Sequence, residues 1–363
     1  MRRRTTTASS RLRRYCRPSG SGAPEATPRN TILLGDVTEQ LRGLPAASID
    51  TVVTSPPYYL LRDYGSPDQL GLEPTVEAYV ERIVAVCREL ARVLTPTGSL
   101  WLNIGDSYSR HARFGARRKS LLLAPERVIL ALAADGWIVR NRVVWHKSNP
   151  MPASVRDRLV SSWEHVYLLT RAESYFFDLD AIREPYRSTS PLTENAPGEK
   201  SETRDHHGDP RFKYSGARPT WAGPYAGSNG GLHRKLPRHP LGKTPGDVWT
   251  VATASYRDAH FATFPERLIE RPLLATCPAR VCQMCGRAWK QSSGVPTEPA
   301  CSCQAAWRPG IVLDPFMGAG TTGVVARRLG RDYLGIEVNP TYLALAVSRI
   351  AASGGAGRTE ERR

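Results

Sequence analysis

The chain has 363 residues, enough for one large domain or two modest ones. It holds 50 Lys+Arg against 34 Asp+Glu, a net charge of +16. No stretch approaches the ~18 consecutive apolar residues that a membrane-spanning helix needs. So large a positive charge favours a polyanionic partner, nucleic acid ahead of a membrane surface. An arginine-rich composition without a polyanionic partner is the alternative explanation.

The first 30 residues carry eight arginines and a single acid, Glu25. They lack the apolar core of a secretory signal. Their composition resembles a mitochondrial transit peptide, but Pro18 and Pro24 interrupt any helix. We therefore predict a disordered basic tail over residues 1–30 that adds phosphate contacts, and a second disordered tail over residues 353–363.

From residue 31 onward, predicted strands and helices alternate along the chain. Apolar patterning predicts helices over residues 75–94 and 121–134, and strands over residues 31–36, 49–54, 99–104, 137–145 and 165–169. This alternation is typical of a parallel, doubly wound α/β sheet.

The predicted strand 49–54 ends in Thr-Ser-Pro-Pro-Tyr-Tyr. Two adjacent prolines remove two backbone donors and fix two φ angles, so the strand cannot continue through them. Proline also restricts the residue before it, Ser55, to an extended conformation. We predict a rigid loop that presents a hydroxyl at one end and aromatic rings at the other.

Residues 187–245 break the alternation. They are rich in Pro, Gly and Ser, and hold ten Lys/Arg against five Asp/Glu with scattered aromatic residues. A loop of this length inside a domain is usually functional or disordered. Two interpretations remain open, a segment that contacts nucleic acid and a solvated linker.

Five of the seven cysteines lie between Cys277 and Cys303. Clustered cysteines without a secretion signal indicate a metal site in preference to disulfides. Cys282-x-x-Cys285 followed by glycine is typical of a zinc knuckle, and Cys301-x-Cys303 supplies a second, unusually close pair. We predict a structural zinc site in an insert over residues 277–308. Cys277 is an alternative ligand, and a cluster of free thiols is the competing interpretation.

A second chemical motif lies near the end of the chain. Residues 311–323 read as a strand, Asp314, and a glycine-rich loop, and a predicted helix (324–329) and a strand ending at Glu337 follow. Glycines let the backbone approach a ligand closely, and an acid at that point can accept hydrogen bonds from a ribose. The order predicts a nucleoside-cofactor site.

The loop from Gly318 to Gly323 also satisfies the G-x-G-x-x-G dinucleotide fingerprint, so an NAD-dependent oxidoreductase is an alternative. Two observations argue against it. The fingerprint usually opens a nucleotide-binding domain, whereas this loop comes late in the chain. Asp314 before the glycines would also repel a pyrophosphate, and suits a ligand with an ammonium and a sulfonium. NAD chemistry moreover leaves the Ser-Pro-Pro-Tyr loop unexplained.

Taken together and in this order, TSPPYY and DPFMGAGTT resemble the permuted β group of DNA amino-methyltransferases, which includes type II modification methylases and uses S-adenosylmethionine. The resemblance implies a Rossmann-like seven-stranded sheet with one reversed strand. It also implies a catalytic half over residues 31–186, a target-recognition region over 187–245, a cofactor-capping segment over 246–276 and a cofactor-binding half over 309–352.

The resemblance assigns roles residue by residue. The catalytic motif is Ser55, Pro56, Pro57 and Tyr58, and residues 260–265 match the cofactor-capping motif. Lys147 and Asn149 fall in a segment resembling the start of the target-recognition side and are expected DNA contacts, although a strand end closed by proline is the plainer interpretation. The expected cofactor contacts are Asp36, Phe264, Pro265, Asp314, Phe316, Gly318, Gly320, Thr321 and Glu337.

In this family, serine at the first catalytic position is more usual for the cytosine amine and aspartate for the adenine amine. The resemblance therefore implies N4-cytosine methylation of double-stranded DNA, with N6-adenine as the alternative. The target base must leave the helix, and Tyr58 is expected to stack on it. The resemblance also implies a cytoplasmic protein, bacterial or phage-encoded, with a cognate restriction endonuclease as an optional partner. A DNA-binding protein with an inactive enzyme fold is a third class, which intact Ser55 and Asp314 argue against.

Overall fold

The structure, a computed structural model, describes residues 27–63, 65, 69–186, 239–254, 264–292 and 295–353. The chain forms two compact units, one of residues 1–183 with 244–363 and one of residues 184–243. The predicted tails lie almost wholly outside the described residues, as do most of the region 187–245 and the first part of the capping motif, 260–263. Within the described ranges, no helix combines the length and apolar character needed to cross a membrane.

The larger unit contains twelve strands and six helices among its described residues. The helices are α1 (Val37–Arg42), α2 (Val76–Val93), α3 (Ala124–Ala134), α4 (Glu266–Thr276), α5 (Thr321–Arg328) and α6 (Pro340–Ser353). The strands are β1 (Thr31–Leu34), β2 (Ile49–Thr54), β3 (Leu94–Ile104), β4 (Ile138–His146), β5 (Trp163–Thr170), β6 (Val248–Thr250), β7 (Val281–Cys282), β8 (Lys290–Ser292), β9 (Val295–Glu298), β10 (Trp307–Arg308), β11 (Ile311–Asp314) and β12 (Asp332–Glu337).

Eight of these strands form the central sheet, in the order β1-β12-β11-β2-β3-β5-β4-β6. Only β5 runs against the others, because it pairs antiparallel with both β3 and β4. The expected single reversed strand is therefore present. The expected count of seven strands differs from the eight observed in the described residues, because the three-residue strand β6 adds to β4 at the edge.

Helices cover both faces of the sheet. Neighbouring residues of a strand point to opposite faces, so Val52 packs with the α1–α3 side while Val53 packs with the α4–α6 side. Every residue of β2 is buried, and a continuous apolar run of this kind is typical of a parallel strand covered on both sides.

The β11–β2 pair joins the two ends of the chain at the centre of the sheet. The chain passes from β2 to β3 in one direction along the sheet, and from β11 to β12 in the other. Ligands in open α/β sheets bind at such a switch point, in the crevice beyond the carboxyl ends of the strands. We refer below to this edge of the sheet as the carboxyl edge.

The cysteine-rich insert enters the fold from the opposite, amino edge. It leaves α4, forms the two small pairs β7–β10 and β8–β9, and returns directly into β11. Asp50, near the start of β2, accepts from the Arg308 guanidinium at 2.5 Å and from the Ile311 amide at 2.8 Å. This buried carboxylate fixes the end of the insert to the start of both central strands.

Candidate active site

The Ser-Pro-Pro-Tyr segment begins directly after β2, at the carboxyl edge. The Tyr79 hydroxyl of α2 donates to the Pro57 carbonyl at 2.9 Å, and Ser107 donates to the Tyr59 carbonyl at 2.6 Å. These bonds hold a segment that the prolines have already stiffened. No described residue donates to the Pro56 carbonyl. The hydroxyl of the half-buried Ser55 and the carbonyl of the buried Pro56 are adjacent acceptors of this segment.

Three side chains form a line of hydrogen bonds away from Ser55. The Ser55 hydroxyl donates to the Tyr58 hydroxyl at 3.2 Å, and Tyr58 donates to the Glu164 carboxylate at 2.7 Å. The Asn103 amide donates to the same carboxylate oxygen at 3.1 Å, and Lys147 forms an ion pair with the other. Glu164 reaches this site because β5 is reversed, which places its amino end at the carboxyl edge of the sheet.

The Tyr58 phenol is held as a donor. Burial, together with the adjacent Glu164 carboxylate, raises the pKa of Tyr58 well above its ordinary value, so the phenol keeps its proton. Its ring packs against Gly105, where an added Cβ would lie 2.6 Å from a Tyr58 ring carbon. Glycine at this position leaves room for the ring beside the end of β3.

The glycine loop between β11 and α5 contains two glycines in the left-handed region. Gly318 and Gly320 have positive φ angles of 49° and 79°. The Gly318 amide donates to one Glu337 oxygen at 2.8 Å, and the Asn339 amide donates to the other at 2.9 Å. Each carboxylate oxygen accepts more than one hydrogen bond, so Glu337 retains acceptor sites for ligand hydroxyls.

Asp314 is 1% exposed and lies beneath the loop. It accepts from Thr54 at 2.7 Å, from Thr322 at 2.6 Å and from the Phe316 amide at 3.1 Å. Burial raises the pKa of Asp314 to about 6 despite these bonds, and Glu337 contributes in the same direction. The predicted direct contact of Asp314 with a cofactor stays a prediction, since its oxygens already have protein partners.

Asp314 and Glu337 end adjacent strands, and the hydrogen-bond partners described above for their carboxylates are hydroxyl and amide groups. This part of the carboxyl edge is therefore negative. A pyrophosphate would be repelled there, whereas a ligand that carries an ammonium and a sulfonium would be attracted. The two carboxylates therefore fit S-adenosylmethionine better than NAD.

The remaining expected cofactor residues surround the same crevice. Asp36 caps α1 by accepting from the Thr38 amide at 2.8 Å, and the Gly35 amide donates to the Glu337 carbonyl at 2.9 Å. Thr321 begins α5. Phe264 and Phe316 are half-buried against the two faces of the sheet, and Pro265 precedes α4. Their contacts with a cofactor stay predictions.

The two expected DNA contacts have partners within the protein. Lys147 pairs with Glu164, and its ammonium also lies 5.1 Å from the centre of the Trp145 ring. Asn149 accepts from the Thr253 amide at 2.7 Å. Both residues therefore organise the segment after β4, and a direct contact with DNA stays a prediction for each.

The four predicted zinc ligands come together. The sulfur atoms of Cys282, Cys285, Cys301 and Cys303 all lie within 4.8 Å of one another. The Gly286 amide closes the first knuckle by donating to the Cys282 carbonyl at 3.0 Å. Cys277, the alternative ligand, is absent from this group and is buried in the core beside α4.

The family follows from comparison with known proteins. The family model described as DNA methylase, which covers N6 and N4 methyltransferases, matches residues 49–348. The chain belongs to the DNA methylase family. Its sequence is 34% identical to the Type II methyltransferase M.SfiI of Streptomyces fimbriatus, over 88% of this chain and 91% of the relative. It is also 34% identical to M.XycI of Xanthomonas campestris pv. cyanopsidis, over 88% and 87%.

A solved structure shares the fold of this DNA methylase. The PvuII DNA methyltransferase, described as cytosine-N4-specific, superimposes with a TM-score of 0.54 at 18% sequence identity, over 91% of this chain and 92% of that chain. At this identity the likeness concerns the fold alone.

Sequence reasoning missed Asn103, Gly105 and Glu164. Asn103 is a buried polar residue near the carboxyl end of β3, and Glu164 is the half-buried second residue of β5. Buried polar groups in such positions need partners, which is the signal that would have marked them. Their meeting with Tyr58 depends on the pairing of β3 with β5, and a single sequence does not show that pairing.

Gly320 and Gly330 provide a matched test of the loop. Both have positive φ, but a Cβ on Gly320 would lie 2.9 Å from the Ala346 Cβ of α6, whereas a Cβ on Gly330 would meet nothing within 4 Å. We expect G330A to lower the free energy of unfolding by about 1 kcal/mol from backbone strain, and G320A by about 2–4 kcal/mol because overpacking adds to it. Urea denaturation measures both, and equal losses would contradict the close approach of α5 and α6.

Proposed function

We propose that this DNA methylase transfers the methyl group of S-adenosylmethionine to the N4 amine of a flipped cytosine in double-stranded DNA. The observation that carries the proposal is the pair of adjacent acceptors, the Ser55 hydroxyl oxygen and the Pro56 carbonyl, at the switch point of the sheet and next to the glycine loop. An exocyclic amine has two N–H groups, and two fixed acceptors match them.

The crevice residues would divide the cofactor between them. The negative edge formed by Asp314 and Glu337 supports binding of the cationic methionine part, and Glu337 would accept from the ribose hydroxyls. Asp36 follows β1, the strand beside β12, and would lie near the adenine. When bound, S-adenosylmethionine supplies an electrophilic methyl group on a positively charged sulfur.

The residues of the chain act on the amine. Its lone pair is conjugated with the base ring, which makes it a poor nucleophile. Hydrogen bonds to Ser55 and Pro56 favour a pyramidal nitrogen, whose lone pair can then form the new N–C bond as the electrons of the C–S bond return to sulfur. The nitrogen afterwards loses one proton to water, which gives the neutral N4-methylated amine of the base. Orientation and fixed dipoles supply most of the acceleration in such a step.

The Type II label of the relatives supports a modification role beside a restriction enzyme, and their bacterial origin agrees with the expected cytoplasmic location. The neutral Ser55, in place of an aspartate, supports cytosine over adenine.

The product test is mass spectrometry of nucleosides from DNA of cells that express the chain. We expect N4-methylcytosine with the wild type and its loss with S55A, because alanine removes one of the two acceptors. Binding of S-adenosylmethionine to S55A should stay within about twofold of the wild type, since Ser55 lies outside the glycine loop. N6-methyladenine as the only product would overturn the choice of base, and full activity of S55A would overturn the role of Ser55.

We also propose that Cys282, Cys285, Cys301 and Cys303 bind one structural zinc ion. Four thiolates without an open position are typical of a structural site. The return of the insert to the amino edge, through Asp50 and Arg308, supports a stabilising role over contact with DNA at the carboxyl edge.

Metal analysis of the purified protein should find one zinc per chain. C285S should lose the metal and several degrees of melting temperature, because zinc binding contributes directly to folding free energy. The matched control is C277S, which should keep the metal because Cys277 lies outside the four-sulfur group. A zinc-free wild type, or equal loss of metal in C277S, would contradict the assignment.

A further inference from the structure

Two loops at the carboxyl edge carry an unusual share of positive charge. We define the basic loop pair as residues 105–123, between β3 and α3, and residues 147–162, between β4 and β5. Together they hold eight Lys/Arg and two acids, whereas the whole chain has 50 against 34. The excess is local, so an arginine-rich composition does not account for it.

Both acids of the pair are already engaged. Asp106 accepts from the amides of Leu123 and Ala124 and so caps α3. Asp157 pairs with Lys119 at 2.6 Å, which joins the two loops. The Arg158 guanidinium lies 3.8 Å from the centre of the Tyr108 ring and joins them again. The remaining arginines of the loop 105–123 are exposed: Arg110, Arg113, Arg117 and Arg118.

The first loop is bonded to the catalytic segment directly, and the second is connected to it through Glu164. Ser107 of the first loop donates to the Tyr59 carbonyl, and Lys147 of the second pairs with Glu164, the acceptor of Tyr58. The second loop also presents Met151 and Leu159, which are 83% and 89% exposed. Apolar side chains among basic ones suit a surface that meets both the phosphates and the stacked bases of a duplex.

We infer that the basic loop pair is a docking surface for the phosphate backbone of double-stranded DNA beside the flipped base. The inference rests on the proposed function for the identity of the polyanion. It adds a surface distinct from residues 187–245, and it assigns phosphate contacts to residues that the catalytic motif does not include.

The test is the salt dependence of duplex binding, measured by fluorescence anisotropy with a labelled duplex of arbitrary sequence. Each phosphate contact contributes about 0.9 to the slope of log K against log salt. Replacing Arg110, Arg113, Arg117 and Arg118 with glutamine should reduce the slope by about 2–4 and weaken binding at least about tenfold at 0.1 M salt.

The matched control removes Arg140 and Arg171, exposed arginines that lie over the rings of Tyr175 and Trp137 at the amino edge. This double glutamine variant should keep the wild-type slope. The inference would be overturned if the four-arginine variant kept the wild-type salt slope, or if the control changed the slope equally. Failure of the proposed function would appear separately, as a wild type that binds duplex DNA through these loops but methylates none.

A different observation, the direction of the hydrogen bonds at Ser55, carries a second inference. The single proton of the Tyr58 hydroxyl can reach Asn103 at 3.2 Å or Glu164 at 2.7 Å. The shorter bond to a charged acceptor is the stronger. Tyr58 therefore donates to Glu164, and its oxygen is left to accept the proton of Ser55.

This order decides what Ser55 offers to a substrate. A serine hydroxyl both donates and accepts, and only an acceptor helps an amine. With its proton directed at Tyr58, Ser55 presents lone pairs alone. We propose that Glu164 is a positioning residue that keeps Ser55 an acceptor, acting through Tyr58 and without contact with the substrate.

A double-mutant cycle tests this role by single-turnover methyl transfer. E164Q keeps the shape of the side chain but can donate to the Tyr58 oxygen, which permits the reverse order. Y58F keeps the ring and removes the relay. Each should slow transfer by about 10–100-fold, equivalent to one or two hydrogen bonds at the reacting amine. In the Y58F background, E164Q should lower the rate of methyl transfer by no more than about a further twofold.

Affinity for S-adenosylmethionine should change little in E164Q, whereas loss of the Lys147 ion pair should lower the melting temperature by the same amount with and without Y58F. A purely structural role of Glu164 would slow the Y58F enzyme further. Independent, multiplying losses in the double variant would therefore overturn the inference, as would an E164Q enzyme with wild-type transfer.

Discussion

The hydrogen bond from Thr54 to Asp314 joins the carboxyl ends of two strands that meet at the centre of the sheet, and the rest of the site depends on that junction. Ser55 follows Thr54 directly, and the glycine loop follows Asp314. One buried hydrogen bond therefore fixes both parts of the proposed site. Ser55 would hold the target amine, and the glycine loop would hold the methyl donor. Asp314 is 1% exposed, so solvent does not compete for it.

In the function that we propose, the neutral Ser55 takes a place that a carboxylate could fill. A carboxylate accepts hydrogen bonds from any direction, whereas a hydroxyl must have its proton placed. Here the negative charge is on Glu164, and the Tyr58 hydroxyl, which bonds to both residues, connects Glu164 with Ser55. The reversed strand β5 is what makes this arrangement accessible, because a parallel strand would carry Glu164 to the other edge.

Much of the fold and site could be predicted from the sequence, for identifiable physical reasons. The prolines after β2 and the glycines after β11 impose backbone conformations locally, so TSPPYY and DPFMGAGTT indicated their own structures. Val248–Thr250 was missed as a strand because three residues are too few to show a period. Cys277 was left as an alternative ligand because spacing cannot separate it from Cys282. Only the packing of α4 buries it away from the other sulfurs.

The hydrogen bonds around Glu164 could not be predicted from the sequence for a related reason. Local motifs report the conformation of a few consecutive residues, whereas Tyr58, Asn103 and Glu164 come from three separate strands or strand ends. Their contact is decided by sheet order and by the direction of β5, both of which are properties of the whole domain.

The junction of β2 with β11 also sets when the enzyme can assemble during its synthesis. The Thr54–Asp314 bond joins residues 260 positions apart in the sequence. Strand β12, which pairs with β11, is synthesised later still. Contacts between residues so distant in sequence form slowly, and they form late in folding. A nascent chain thus leaves one edge of β2 unpaired until β11 has left the ribosome.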